Sequence, residues 1–146
     1  MSDVVQPLST EVPPIVRRLQ DAINEHDLER VVDCFAVDYR NETPVHPARS
    51  FVGSEQVRRN WKRILGGLPD LRAELVRFAV RGDEVWAEWD WSGTRPDGAP
   101  FEMRGVTILG SGADGRATWS RFYMEPVDPA ADDVATAVRA AVGTSS

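Results

Sequence analysis

Between Pro14 and Leu65 the apolar residues recur every three to four positions; beyond Leu71 they alternate with polar ones. Ile15, Leu19, Ala22 and Ile23 fall on one helical face with charges opposite, so the first stretch predicts a helix. Thr10 is an N-cap candidate, and Pro13 and Pro14 fit only a first turn. Asp27 can cap a second short helix, "LERVVDCFA", whose apolar members are Leu28, Val31, Val32 and Phe35. "GSEQVRRNWKRILGGL" predicts a third, capped by Ser54, with Val57, Trp61, Ile64 and Leu65 as its stripe. Gly66, Gly67 and Pro69 stop it. The period then drops to two. "LRAELVRFAV", "EVWAEWDWSGTR", "FEMRGVTILGS" and "RATWSRFYMEP" read as strands joined by the turns "RGD", "PDGA" and "GADG". Helices followed by a meander predict an α+β domain, three N-terminal helices packed in a curved, mainly antiparallel sheet. One domain is expected, with a core over about residues 10–127 and a loose tail over 1–9. Residues 128–146 form a tail with a short helix carrying Val134, Val138, Ala141 and Val142 on one side.

Charge and cysteine usage narrow the function classes. The 146 residues carry a formal net charge of -6. No basic face is available for nucleic acid or an anionic membrane, so neither is expected as a partner. Cys34 is the single cysteine, which excludes an intrachain disulfide and a cysteine-rich metal site. His26 and His46 are far apart and no carboxylate spacing suggests a metal, so none is expected. "MSDVVQPLS" lacks the basic and apolar regions of a signal peptide, and no run of 18 apolar residues exists; a cytoplasmic protein is expected.

Two short constellations carry candidate chemistry. Tyr39 and Asn41, two apart in "YRNETPVHP", share one face of an extended chain. They either orient a water or carbonyl oxygen in a pocket, or fill core space and cap the next turn. Glu88 and Asp90 share a face with Trp86 and Ser92, while Val85, Ala87, Trp89 and Trp91 occupy the other. Alternation allows either face to look inward. If the carboxylates do, their proximity in a partly dry cavity would raise one pKa and make an acid–base pair. His46, between two prolines, is a solvent-exposed loop residue or a pocket-rim base. Trp61, Met103, Phe122 and Met124 read as core, and in a strongly curved sheet also as apolar lining. Arg104 and Arg121 fall on the opposite strand face with Tyr123 and Glu125.

The ordered set "AINEHDLERVVDCFAVDY", "FVGSEQVRRNW", "PDLRAEL" and "GDEVWAEWDWSGT" resembles the SnoaL-like branch of the nuclear transport factor 2-like superfamily, over roughly residues 14–126. The resemblance implies a cone-like fold, with a bent sheet enclosing a pocket open at one end, and commonly a dimer through the sheet. The branch hosts isomerases, epoxide hydrolases, polyketide cyclases, dehydratases and non-catalytic modules, so the fold does not choose among them. The isomerase pattern puts Leu19, Thr43 and Thr107 where a tyrosine and two acids are needed. The limonene-type hydrolase pattern is closer. It matches Tyr39 and Asn41 and places Asp90 at the acid position, but Glu88 replaces a bridging arginine and Phe122 the second aspartate. The resemblance therefore implies that Asp90, Glu88, Tyr39 and Asn41 are catalytic. Trp61, Trp86, Met103, Phe122, Met124 and His46 would contact substrate. The expected function is a cofactor-independent acid–base enzyme acting on a small, largely apolar molecule; the alternative is a binding or dimerisation module. A homodimer is expected, with Trp89 and Trp91 on the outer sheet face.

Overall fold

The computed structural model describes residues 11–143. The expected tail over 1–9 and the Thr10 cap lie outside them. Helix α1 spans Pro14–Asn24 and buries Ile15, Leu19, Ala22 and Ile23, the stripe that its periodicity predicts. Asp27 caps α2, Leu28–Asp33, by accepting from the Arg30 N–H at 3.2 Å. This helix is shorter than its apolar spacing suggests. The Cys34 carbonyl already accepts from Ala117 N–H at 2.8 Å, and that bond draws the chain into a sheet. Strand β1 therefore starts at Phe35 and runs to Glu42. A single 3-10 turn, Pro47–Arg49, and the two-residue β2, Phe51–Val52, lead into α3, Ser54–Gly67. The cap position of α3 is Gly53, not Ser54; its φ of +102° is one that glycine adopts readily.

Four long strands follow: β3, Arg72–Arg81; β4, Glu84–Thr94; β5, Pro100–Ser111; and β6, Ala117–Pro126. The six-stranded sheet has the order β2-β1-β6-β5-β4-β3. The β1–β6 pair is parallel and the others are antiparallel. Register shifts in β1, in β3 and near Gly110 of β5 bend it, because an extra residue on one strand increases local coiling. The sheet curls around the helices without closing, α1 packing on β3 and α3 on β1.

The exposed edge of β3 is tied down by polar side chains of the α1 end. Asn24 donates to the Ala73 carbonyl at 2.9 Å and accepts from its N–H at 2.7 Å. Gln20 accepts from Leu75 N–H at 2.7 Å, and the His26 ring donates to the Leu71 carbonyl at 2.9 Å. His26 thus anchors the helix to the sheet edge. A last helix, α4, Val134–Val142, is capped by Asp133 and Gly143 and leaves Val134, Val138 and Val142 exposed. No helix among the described residues is long and apolar enough to cross a membrane.

Candidate ligand-binding site

The concave side of the sheet faces α3 across a cavity of about 220 Å³. From α3 come Val57, Asn60, Trp61 and Ile64, the i, i+3, i+4, i+7 face of that helix. The sheet supplies Tyr39 and Asn41 of β1, Trp89 and Trp91 of β4, and Thr107 and Leu109 of β5. Ser120 and Phe122 of β6 complete that wall, Phe51 and Leu19 close the sides, and Arg49 stands at the rim.

The polar part of the wall is a buried network. Ser120 lies opposite Asn41 in the parallel β1–β6 pair. Its hydroxyl donates to Asn41 Oδ1 at 2.9 Å and is hydrogen-bonded to the Tyr39 hydroxyl. Asn41 Nδ2 in turn donates to Thr43 Oγ1 at 3.0 Å. Burial pushes the Tyr39 phenol up to about 12, against a smaller opposing effect of the Ser120 bond. The phenol is therefore a hydrogen-bonding group and not a base near neutral pH. On the neighbouring strands the Trp89 indole donates to Thr107 Oγ1 at 2.9 Å. Trp91 packs edge-on against Trp61, ring centres 5.5 Å apart, and against Phe122 at 6.4 Å.

The face of β4 that looks inward is the one without carboxylates. Trp89 is 1% and Trp91 7% exposed, whereas Trp86 is 47% exposed on the convex face. Glu88 and Asp90 share that convex face. Arg77 Nε donates to Glu88 at 2.6 Å, and Arg104 Nε stands 3.5 Å from Asp90. The expectation that Asp90 and Glu88 enter the cavity, with Trp86 beside them, is thus corrected. Hydrophobic burial decides it: two indoles gain from leaving water, while two carboxylates would lose hydration without a partner inside. The expected dimer surface changes with it. Trp89 and Trp91 are not available, and the apolar part of the convex face is Trp86, Ile108, Val106 and Tyr123.

His46 is outside the cavity lining, its ring paired with Glu125 at 2.6 Å. Met124 is buried core and Met103 packs partly against it; neither lines the cavity. Ser120, Asn60 and Arg49 had no place in the sequence reading of the pocket, and Thr107 entered it only as the position of a missing acid in the isomerase pattern. Ser120 could have been found, since it alternates with Phe122 and Met124. Asn60 could also have been found, one residue before Trp61 on the α3 face. Arg49 lies in a polar turn that carries no periodic signal.

No curated protein matches the sequence. Solved structures do. A hypothetical protein with a ketosteroid isomerase-like fold from Catenulispora acidiphila, in complex with trimethylamine, is 19% identical. The match covers 77% of this chain and 87% of that one, with a TM-score of 0.67. SalBIII, an epoxide hydrolase/cyclase-like enzyme of pyran ring formation in salinomycin, is 17% identical over 76% and 88% of the two chains, TM-score 0.67. A polyketide cyclase-like protein from Sinorhizobium meliloti is 23% identical over 78% and 95%, TM-score 0.60. At such identities the likeness is one of fold. The family model for the SnoaL-like domain matches residues 16–120, from α1 to the Ser120 of the buried network, and the chain belongs to that family.

Proposed function

We propose that this SnoaL-like domain binds a small, mainly apolar molecule through fixed hydrogen-bonding groups and aromatic packing. One observation carries the reading: among the described residues lining the cavity there is no carboxylate and no imidazole, and Arg49 is the sole charged side chain. General acid–base work near neutral pH needs a group that titrates there, and the lining has none. The volume sets the ligand size. A cavity of about 150 Å³ accommodates benzene, so about 220 Å³ suits a one- or two-ring molecule rather than a steroid.

A second reading keeps the same cavity and adds turnover. It is favoured by the Tyr39–Ser120–Asn41 network, set in an otherwise apolar wall, and by the cyclase-type enzymes that share the fold. Such an enzyme would fold its substrate into a reactive geometry, with one polar group held against the network.

The test is ligand-observed NMR titration with benzamide, a neutral one-ring probe. Saturable binding should appear, should be abolished by the cavity-filling Ile64→Trp, and should change less than twofold in Asp90→Asn. Absence of saturable binding, or its loss in Asp90→Asn, would overturn the proposal.

A further inference from the structure

The unspent hydrogen-bonding capacity of the cavity is mostly of one kind. The Trp91 indole N–H is buried and has no partner among the described residues. A buried donor without a partner is costly, so the Trp91 N–H favours a ligand that brings an acceptor. Asn60 Oδ1 already accepts from Gln56 at 2.8 Å, while its amide hydrogens have no acceptor among the described residues. Thr107 Oγ1 is occupied as acceptor by Trp89, and its own proton is unassigned. On the acceptor side, Asn41 Oδ1 is taken up by Ser120 and Tyr39, leaving chiefly the Tyr39 oxygen.

Charge points the same way. Arg49, the charged side chain of the lining, forms no ion pair among the described residues. In a chain of net charge -6, the lining thus carries one cation and no carboxylate. Such an asymmetry raises the local concentration of anions.

We propose that the cavity selects a small aromatic or alicyclic carboxylate. Its ring would lie among Trp61, Trp91 and Phe122, and its oxygens would accept from the Trp91 indole, the Asn60 amide and the Arg49 guanidinium. This rests on the binding reading above and gives it a ligand class. A primary or quaternary ammonium of the same size is disfavoured: it would find aromatic faces, but it would confront donors and an arginine.

The experiment compares benzoate, benzamide and benzylammonium by ligand-observed NMR at low salt. Benzoate should bind about tenfold more tightly than benzamide, a typical size for a charge-assisted hydrogen bond, and benzylammonium more weakly than either. Arg49→Gln should reduce the benzoate-to-benzamide ratio to about one, and Trp91→Phe should weaken both acceptor-bearing probes. High salt should shrink the benzoate advantage, as exposed charges are screened. Benzamide binding as tightly as benzoate, or a ratio unmoved by Arg49→Gln, would overturn the carboxylate assignment and leave the binding reading standing. Failure of all three probes would overturn both.

Discussion

The Trp89 indole reaches diagonally across the β4–β5 pair to the Thr107 hydroxyl, 2.9 Å away, with both side chains buried on the concave face. This relationship fixes the orientation of β4, since every second residue shares the face of Trp89 and the residues between face away. It also satisfies an indole N–H that otherwise would be buried unpaired. Thr107→Val, nearly equal in shape, should therefore cost about 1–3 kcal/mol. Thermal unfolding should show this as a fall of several degrees in Tm. Asp90→Asn on the opposite face should stay within about 0.5 kcal/mol of wild type. A neutral Thr107→Val would mean that the bond contributes nothing to the fold.

The same strand shows where the sequence was legible and where it was not. Helix stripes and strand alternation identified α1, α3 and the four long strands, because period is a direct consequence of burying one face. The inward face of β4 was harder. Its odd positions, Val85, Ala87, Trp89 and Trp91, are uniformly apolar, and that alone points them inward. The family pattern argued the other way by assigning Asp90 to a catalytic position. A one-residue difference in alignment flips every side chain of a strand to the other face. Tyr39 and Asn41 were singled out from spacing, but Ser120, their partner, became visible only through the parallel β1–β6 register, which no local pattern encodes. The early start of β1 was hidden because Phe35 is buried in either a helical or an extended reading.

Gly105 is the strictest backbone position of β5. Its φ is +151°, and a Cβ there would lie 2.1 Å from the Tyr123 carbonyl oxygen and 2.7 Å from Met124 Cα. These contacts are with the backbone of β6, which cannot move without breaking the sheet. Gly105→Ala should lose at least about 3 kcal/mol, beyond the usual effect of a single substitution. Gly66→Ala is the control: a Cβ there meets nothing within 4 Å. That variant should be stabilised by up to about 1 kcal/mol through helix propensity. Urea unfolding of the two proteins checks both signs; equal stability of Gly105→Ala and wild type would contradict the close approach.

The convex face makes a prediction about association. Trp86 remains 47% and Tyr123 37% exposed, beside Val106 and Ile108 of the central β5. Large aromatic side chains left this exposed on the face of a central sheet favour a covering partner. We propose that a second copy of the chain covers it. Light scattering should give a dimer mass at micromolar concentration, and Trp86→Glu should give a monomer with the same circular dichroism. A monomeric wild-type protein would refute this use of the face.

Alkaline pH tests the buried network itself. Burial pushes the Tyr39 phenol from 10.0 up to about 12 and the Cys34 thiol from 9.0 up to about 11. Both groups are neutral when protonated, and the folded state holds the proton more tightly than the unfolded chain. Their contribution to stability is thus fully present below the unfolded pKa values and is lost as pH rises through the folded ones. For Tyr39 alone, two pKa units correspond to about 2–3 kcal/mol lost across pH 10 to 12. Tyr39→Phe removes the titrating hydroxyl. It should be less stable than wild type at pH 8, having lost the bonds to Ser120 and Asn41, yet its stability should fall less steeply above pH 10. The measurement is urea unfolding at intervals from pH 8 to 11.5. In parallel, phenolate absorbance of the native protein should show one tyrosine ionising late. Equal slopes for the two proteins would show that Tyr39 does not hold its proton in the fold, and the network would then be solvated rather than buried.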